Sequence, residues 1–287
     1  AVYILSKETR KHATVALSGD GADELLGGYN KHEAMYRMLH PGFKENFVSS
    51  LGFLWRSLPH SRNNPLVNKF RQLDRFAKGM KLDAKERYWQ LAGFASESES
   101  LSLLSSSSRE KFEKQIFENR KNEILKTISF EGSINSVLLT DMKTVLPNDM
   151  LTKVDLMSMA NSLEVRVPFL DHELVNFVSG LPDDFKINSK GRKRVAQDAF
   201  REMLPAKLYN MPKKGFEVPL LKWFRNEMKS MITDDLLSKS FIEEQNIFDY
   251  TEIEKLKKQL FSSNPGDVHA RIWGLTVFQW WWKKNCK

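Results

Sequence analysis

Ala13-Thr-Val-Ala-Leu-Ser-Gly-Asp-Gly-Ala-Asp-Glu24 is a compact apolar run that ends in two closely spaced glycines. Ala13 to Leu17 has strand character. Gly19 and Gly21 let the chain turn tightly and bring bare backbone N–H groups close to a ligand. The residues from Asp23 through His40 then suit a helix, although Gly27 and Gly28 weaken its first turns. A strand that enters a glycine turn and then a helix belongs to a parallel sheet, and its neighbours are expected upstream.

The turn is suited to phosphate, because the helix that follows would aim its partly positive N-terminus at the same spot. It is not a Walker motif, since no Gly-Lys-Ser/Thr follows, and Glu24 stands where the third glycine of a dinucleotide fingerprint would be. Asp20, Asp23 and Glu24 would repel phosphate by themselves. A bridging magnesium ion removes the conflict, since it takes one or two carboxylates together with phosphate oxygens. The plainer reading, that Asp20 and Asp23 cap a helix, stands beside it.

Further along, Pro59-His-Ser-Arg-Asn-Asn-Pro65 joins two or three helices expected between residues 43 and 95. The serine-rich stretch Ser96 to Ser108 reads as a mobile loop or linker. The charged run Arg109 to Ile128 reads as a solvated helix. Helices are expected over Asp149–Asn161, His172–Ser179, Arg192–Met203 and Asp267–Trp282, so the chain should be mostly helical with few strands. Lys190-Gly-Arg-Lys-Arg194 puts cations at a helix start, against the helix dipole; this suits an anionic ligand or, more plainly, a solvated surface. In Leu163-Glu-Val-Arg-Val-Pro-Phe-Leu-Asp171, Glu164 and Arg166 point the same way from an extended segment and hold a ligand or brace a loop. The basic turn Met211 to Pro219 has the same ambiguity. Trp280-Trp281-Trp282 reads as core or interface packing.

Composition narrows the classes. Of 287 residues 41% are hydrophobic, which fits a folded globular protein. The net charge of +8 admits a nucleic acid, an anionic surface or a polyphosphate as partner, but the cations are scattered among 36 acidic residues. Without basic–aromatic interleaving, nucleic-acid binding by a basic helical module is the disfavoured class. The apolar stretch Ile272 to Trp282 is far shorter than the roughly 20 residues a bilayer needs. No signal peptide opens the chain. The single cysteine, Cys286, excludes an internal disulfide, and a cytoplasmic setting is expected.

Four segments in this order resemble the synthetase domain of glutamine-hydrolysing asparagine synthetases, a family also similar to β-lactam synthetases. They are Ser18 to Tyr29, Leu146-Pro-Asn-Asp-Met-Leu-Thr-Lys-Val-Asp155, Leu163 to Asp171, and Lys193 to Pro219. The resemblance implies an α/β, adenine nucleotide α-hydrolase-like domain with a Rossmann-like parallel sheet, of which residues 1–287 are a mostly α carboxyl-terminal part. It implies that ATP adenylates the side-chain carboxylate of aspartate and that ammonia from glutamine then displaces AMP, with ATP and Mg2+ as cofactors. By the resemblance Ser18, Gly19 and Gly21 touch the nucleotide and pyrophosphate, and Asp20 supports formation of the acyl-adenylate. Asp23 binds magnesium, Lys193 stabilises charge in the transition state, and Tyr29, Glu24 and Arg166 are pocket candidates.

The family's Ser-Gly-Gly-x-Asp-Ser pyrophosphate loop is nowhere in the sequence. It and the glutaminase domain are expected upstream, which would leave the isolated chain inactive with exposed strand edges that favour self-association. Gln197 and Met211 stand where the family commonly has an arginine and another basic residue. A different carboxylate acceptor, as in a β-lactam synthetase, remains the alternative enzyme reading.

Overall fold

The computed structural model describes residues 1–60, 64–210, 215 and 218–286. Its contacts gather into two compact units, one of Ala1–Asn46, Met80–Tyr88 and Asn119–Glu217, the other of Phe47–Gly79, Trp89–Glu118 and Val218–Lys287. Among the described residues the fold is mostly helical with two small two-stranded sheets, the class the sequence indicates.

In the first unit, helix α1 (Val2–Arg10) leads into strand β1 (Val15–Leu17). β1 pairs in parallel with β2 (Glu164–Arg166), Ala16 opposite Val165, and the Ser18 N–H donates to the Arg166 carbonyl at 2.9 Å. The strand expected at the start therefore finds its neighbour downstream, nearly 150 residues on. The single helix expected from Asp23 to His40 is two. Helix α2 (Ala22–Leu26) stops at Gly27, whose φ of 74° is left-handed, and helix α3 (Asn30–Leu39) starts after Tyr29. Under α2, Leu25, Leu26 and Val178 form a buried cluster with Met142, Phe169, Val175 and Val195 packed on it. Each fully buried leucine contributes about 2 kcal/mol, which holds the turn above to a fixed floor. Strands β3 (Ile187–Asn188) and β4 (Gly191–Arg192) form an antiparallel hairpin that delivers Lys193.

The helix Ile134–Lys143 has an anionic cap: the Asp183 carboxylate accepts from the N–H groups of Ile134 and Asn135 at 2.8 and 3.1 Å. An anion at the N-terminus of this helix satisfies donors that have no partner inside it.

The second unit has its own core of Phe224, Ile232, Leu237, Ile242, Ile253, Leu260, Val268 and Ile272. Among the described residues four helices fall between residues 43 and 95, not two or three, and the middle of the turn expected at 59–65 lies outside the described residues. The stretch Ser96 to Ser108 is not a plain loop but carries two short helices, Glu97–Ser102 and Ser106–Glu110. Serine ends helices as readily as it makes loops: Ser96 and Ser105 are N-caps, Ser96 in a reciprocal box with Glu99. Trp280 and Trp281 are half exposed on helix Val268–Asn285, while Trp281 and Trp282 both pack against Phe278. Among the described residues no helix is long and apolar enough to cross a membrane.

Candidate functional site

The glycine turn sits at the end of β1. The Ser18 hydroxyl donates to the Asp20 carboxylate, and the Asp20 N–H leans on Ser18 Oγ at 3.4 Å. A Cβ added at Gly19 would meet nothing within 4 Å, so that backbone faces open space. Gly21 is required: its φ is 85°, and a Cβ there would lie 2.3 Å from Leu170 Cδ2. Helix α2 has only five residues and sums few peptide dipoles. The expected attraction of a helix N-terminus for phosphate is therefore small, and the positive charge beside α2 comes from a side chain instead.

That side chain is Lys193. Its Nζ lies 2.6 Å from Asp23 Oδ1, with the lysine side chain 30% exposed and the aspartate 20%. Two segments far apart in sequence thus meet at one ion pair. Lys193 has left-handed backbone angles, φ 52° and ψ 37°, and its N–H donates to the Leu26 carbonyl at 3.2 Å. A non-glycine residue in that conformation costs about 1–2 kcal/mol, a strain that aims the side chain across α2. Gly28 is the floor of the pair: a Cβ there would stand 1.7 Å from Asp23 Oδ1 and 2.3 Å from Lys193 Cε. Any larger residue would push the two apart.

Behind the pair, the Tyr29 hydroxyl donates to Glu24 Oε1 at 2.6 Å. Burial first, then this hydrogen bond to a carboxylate, pushes the phenol well above its ordinary range, so it stays a donor. The Tyr29 N–H donates to His32 Nδ1 at 3.3 Å, which leaves the ring proton on Nε2. That nitrogen donates to Asp141 Oδ2 at 2.6 Å, and both side chains are fully buried. Lys31 Nζ and the Tyr88 hydroxyl supply two further donors, to Asp141 Oδ1 at 2.7 and 2.5 Å. Burial pushes the His32 pKa down, against the pull of Asp141. Burial alone would raise the Asp141 carboxyl, but the His32 hydrogen bond and the Lys31 charge outweigh it and hold it below its usual range.

The turn, Asp20, Asp23, Glu24, Tyr29 and Lys193 are brought together. Arg166 is not: it pairs with Glu164 at 2.7 Å on the exposed side of β2, the bracing arrangement. Of the basic cluster, Arg192 turns to Glu33 and Asn30, and Arg194 to Asp198. Most of the loop Met211 to Pro219 lies outside the described residues.

The sequence reading missed Gly28, Lys31, His32, Tyr88 and Asp141. One signal was available for Asp141: it falls on the helix face of Ile134, Val137 and Leu138, where a carboxylate must be paired.

A glycine turn at the end of a parallel strand, with a lysine–aspartate pair over Gly28 on the helix that follows, belongs to an α/β protein. The family model described as Asparagine synthase matches residues 1–283, and the chain belongs to that family. It is 30% identical over 301 residues to Asparagine synthetase (glutamine-hydrolyzing) 1 of Bacillus subtilis (strain 168), covering 99% of this chain and 42% of the relative. It is 28% identical over 290 residues to the Putative asparagine synthetase (glutamine-hydrolyzing) of Mycobacterium tuberculosis (strain ATCC 25618 / H37Rv), covering 98% and 41%. Amidase chry2 of Gibberella zeae is 28% identical over 145 residues, 48% of this chain and 21% of the relative. The chain thus spans about two fifths of the length of the two synthetases.

Proposed function

We propose that residues 1–287 form the carboxyl-terminal part of a synthetase domain that adenylates the side-chain carboxylate of aspartate with ATP, releasing pyrophosphate. Ammonia released from glutamine then attacks the acyl carbon, AMP leaves, and asparagine forms. The observation that carries this reading is the Lys193–Asp23 pair at 2.6 Å over Gly28, which joins two of the segments that resemble the family.

In this mechanism Lys193 offers its ammonium to charge that develops on the phosphate oxygens, help that counts most when the donor is already in place. Ser18 holds the Asp20 carboxylate by a hydrogen bond, so that Asp20 does not swing freely where it supports formation of the acyl-adenylate. The Gly19 backbone, with open space where a side chain would be, admits a phosphate to the turn. The Tyr29 hydroxyl, bound to Glu24, lines the wall and stays protonated.

The donor set fits a magnesium ion that arrives with the nucleotide. Among the described residues no group of three or more His, Cys, Asp or Glu could hold a metal unaided, whereas Asp23 offers one carboxylate. Magnesium usually takes one or two carboxylates plus phosphate oxygens. When bound it would neutralise phosphate charge, with Asp23 as its protein ligand. Asp23 would hold the ion from the same carboxylate that pairs with Lys193, whose ammonium would face the phosphate.

The Ser-Gly-Gly-x-Asp-Ser loop is absent from these 287 residues, so the isolated chain should synthesise no asparagine. Calorimetric titration with magnesium pyrophosphate and magnesium ATP tests the site directly. Binding by the wild type that is lost in Lys193→Ala and Asp23→Ala supports the reading; binding unchanged in both variants overturns it. A second reading keeps the same chemistry with a different carboxylate acceptor, as in a β-lactam synthetase. Aspartate-dependent against aspartate-independent ATP–pyrophosphate exchange in the longer protein separates the two.

A further inference from the structure

Asp141 is fully buried and accepts from three side chains, those of Lys31, His32 and Tyr88. Its neighbours along the same helix face are Ile134, Val137 and Leu138, all buried. An all-apolar cluster, with the three donors replaced as well, would fill this face at no electrostatic cost. A buried ion costs several kcal/mol in lost hydration, and breaking even with an apolar replacement demands good geometry. Core stability alone is therefore a weak reason for a carboxylate here.

Its partners point to a stronger one. Lys31 and His32 lie one residue beyond the segment Gly27-Gly28-Tyr29, after Asn30. Gly28 is the floor under Asp23 and Lys193, and Tyr29 is the donor to Glu24. His32 binds both sides of the junction, Tyr29 N–H through Nδ1 and Asp141 through Nε2. Lys31 also lies over the rings of Tyr29 and Tyr88, 5.6 and 5.2 Å from their centroids. Asp141 in turn is fixed by the helix Ile134–Lys143, whose N-terminus Asp183 caps. A continuous hydrogen-bonded path runs from a rigid helix to the ion pair's floor.

We propose that Asp141 is a positioning residue of the anion site: through His32 and Lys31 it fixes the Gly28–Tyr29 segment against which the Asp23–Lys193 pair closes. Asp141 touches no ligand. The proposal refines the functional reading above, on which it rests for the identity of the anion but not for the geometry.

The test compares the 287-residue chain with its Asp141→Leu and Asp141→Asn variants. Folding is followed by circular dichroism, and the lysine ammonium groups by 13C–15N correlation, with Lys193 assigned by its loss in Lys193→Met. Affinity is measured with magnesium pyrophosphate. Both variants are expected to keep their helix content while the Lys193 signal moves and affinity weakens about tenfold, the usual scale for a partner one shell out. The asparagine variant, which still accepts from His32, should recover part of what the leucine variant loses. An unmoved Lys193 signal with unchanged affinity in the folded variants overturns the proposal. Should either variant unfold, Lys31→Met and His32→Gln each remove one donor, and an unmoved Lys193 signal in both overturns it equally. A wild-type chain that binds no pyrophosphate counts against the functional reading alone, because the Lys193 signal still decides the geometry.

Discussion

Two lysine–aspartate pairs stand in the first unit at almost the same separation, Lys193–Asp23 at 2.6 Å and Lys31–Asp141 at 2.7 Å. Distance does not distinguish them; depth does. Asp23 is 20% exposed and Lys193 30%, whereas Asp141 is fully buried. Water competes for the first pair and screens it, so its net contribution to stability is at most about 1 kcal/mol. In the second, Lys31 is still 17% exposed, but the Asp141 carboxylate has no water to fall back on, and removing it strands its donors. The shallow pair is thus free to exchange partners with a ligand, while the deep one holds its surroundings still.

The comparison breaks most readily at Asp141. Asp141→Ala leaves Lys31, His32 and Tyr88 without their acceptor, and urea unfolding should show a loss of about 3–5 kcal/mol. A loss below about 1 kcal/mol, the scale of an exposed pair, would erase the distinction. Next in size is Gly28→Ala, whose Cβ would fall 1.7 Å from Asp23 Oδ1. Overpacking of this kind costs about 1–3 kcal/mol, and pyrophosphate affinity should drop with it in the same calorimetric titration.

A smaller effect sharpens the shallow side. Lys193→Gly removes the left-handed strain that Lys193→Ala retains, so chemical denaturation should find the glycine variant more stable by about 1 kcal/mol. Both should lose anion binding equally, since both lack the ammonium.

The gentlest test changes no residue. His32 has its pKa depressed by burial, so the folded chain takes up a proton there less readily than the unfolded chain. Its contribution is present above the unfolded value of about 6.5 and is lost as pH falls through that value toward the lower folded one. The Asp141 carboxyl, also depressed, adds a second loss below about 3.9. Thermal melts between pH 7 and 5 should show the first step in wild type and lose it in His32→Gln.

Much of the fold can be read from local chemistry. The apolar run Ala13–Leu17 and the glycines after it specify a strand and a turn because backbone freedom and side-chain shape act over a few residues. The helix His172–Ser179 starts where Asp171 can cap it, and does so by accepting from the N–H groups of Glu173 and Leu174. The serines of Ser96–Ser108 misled because the same hydroxyl that loosens a loop also caps a helix, and the choice depends on the residues that follow. Gly27 and Gly28, legible as weak points in a helix, in fact end it and make room for an ion pair.

What the sequence determined by itself is the residue types at the turn, the family to which their order belongs, and a mainly helical chain. Each depends on neighbours within a few positions or on motif order. Tertiary structure alone decided that β1 would pair with β2, that Lys193 would meet Asp23, and that Asp141 would lie under Lys31, His32 and Tyr88. Those contacts join residues far apart along the chain. Their energies depend on burial, since the same charged groups contribute little when wet and dominate when dry. Burial is a property of the packed whole, which no short stretch of sequence contains.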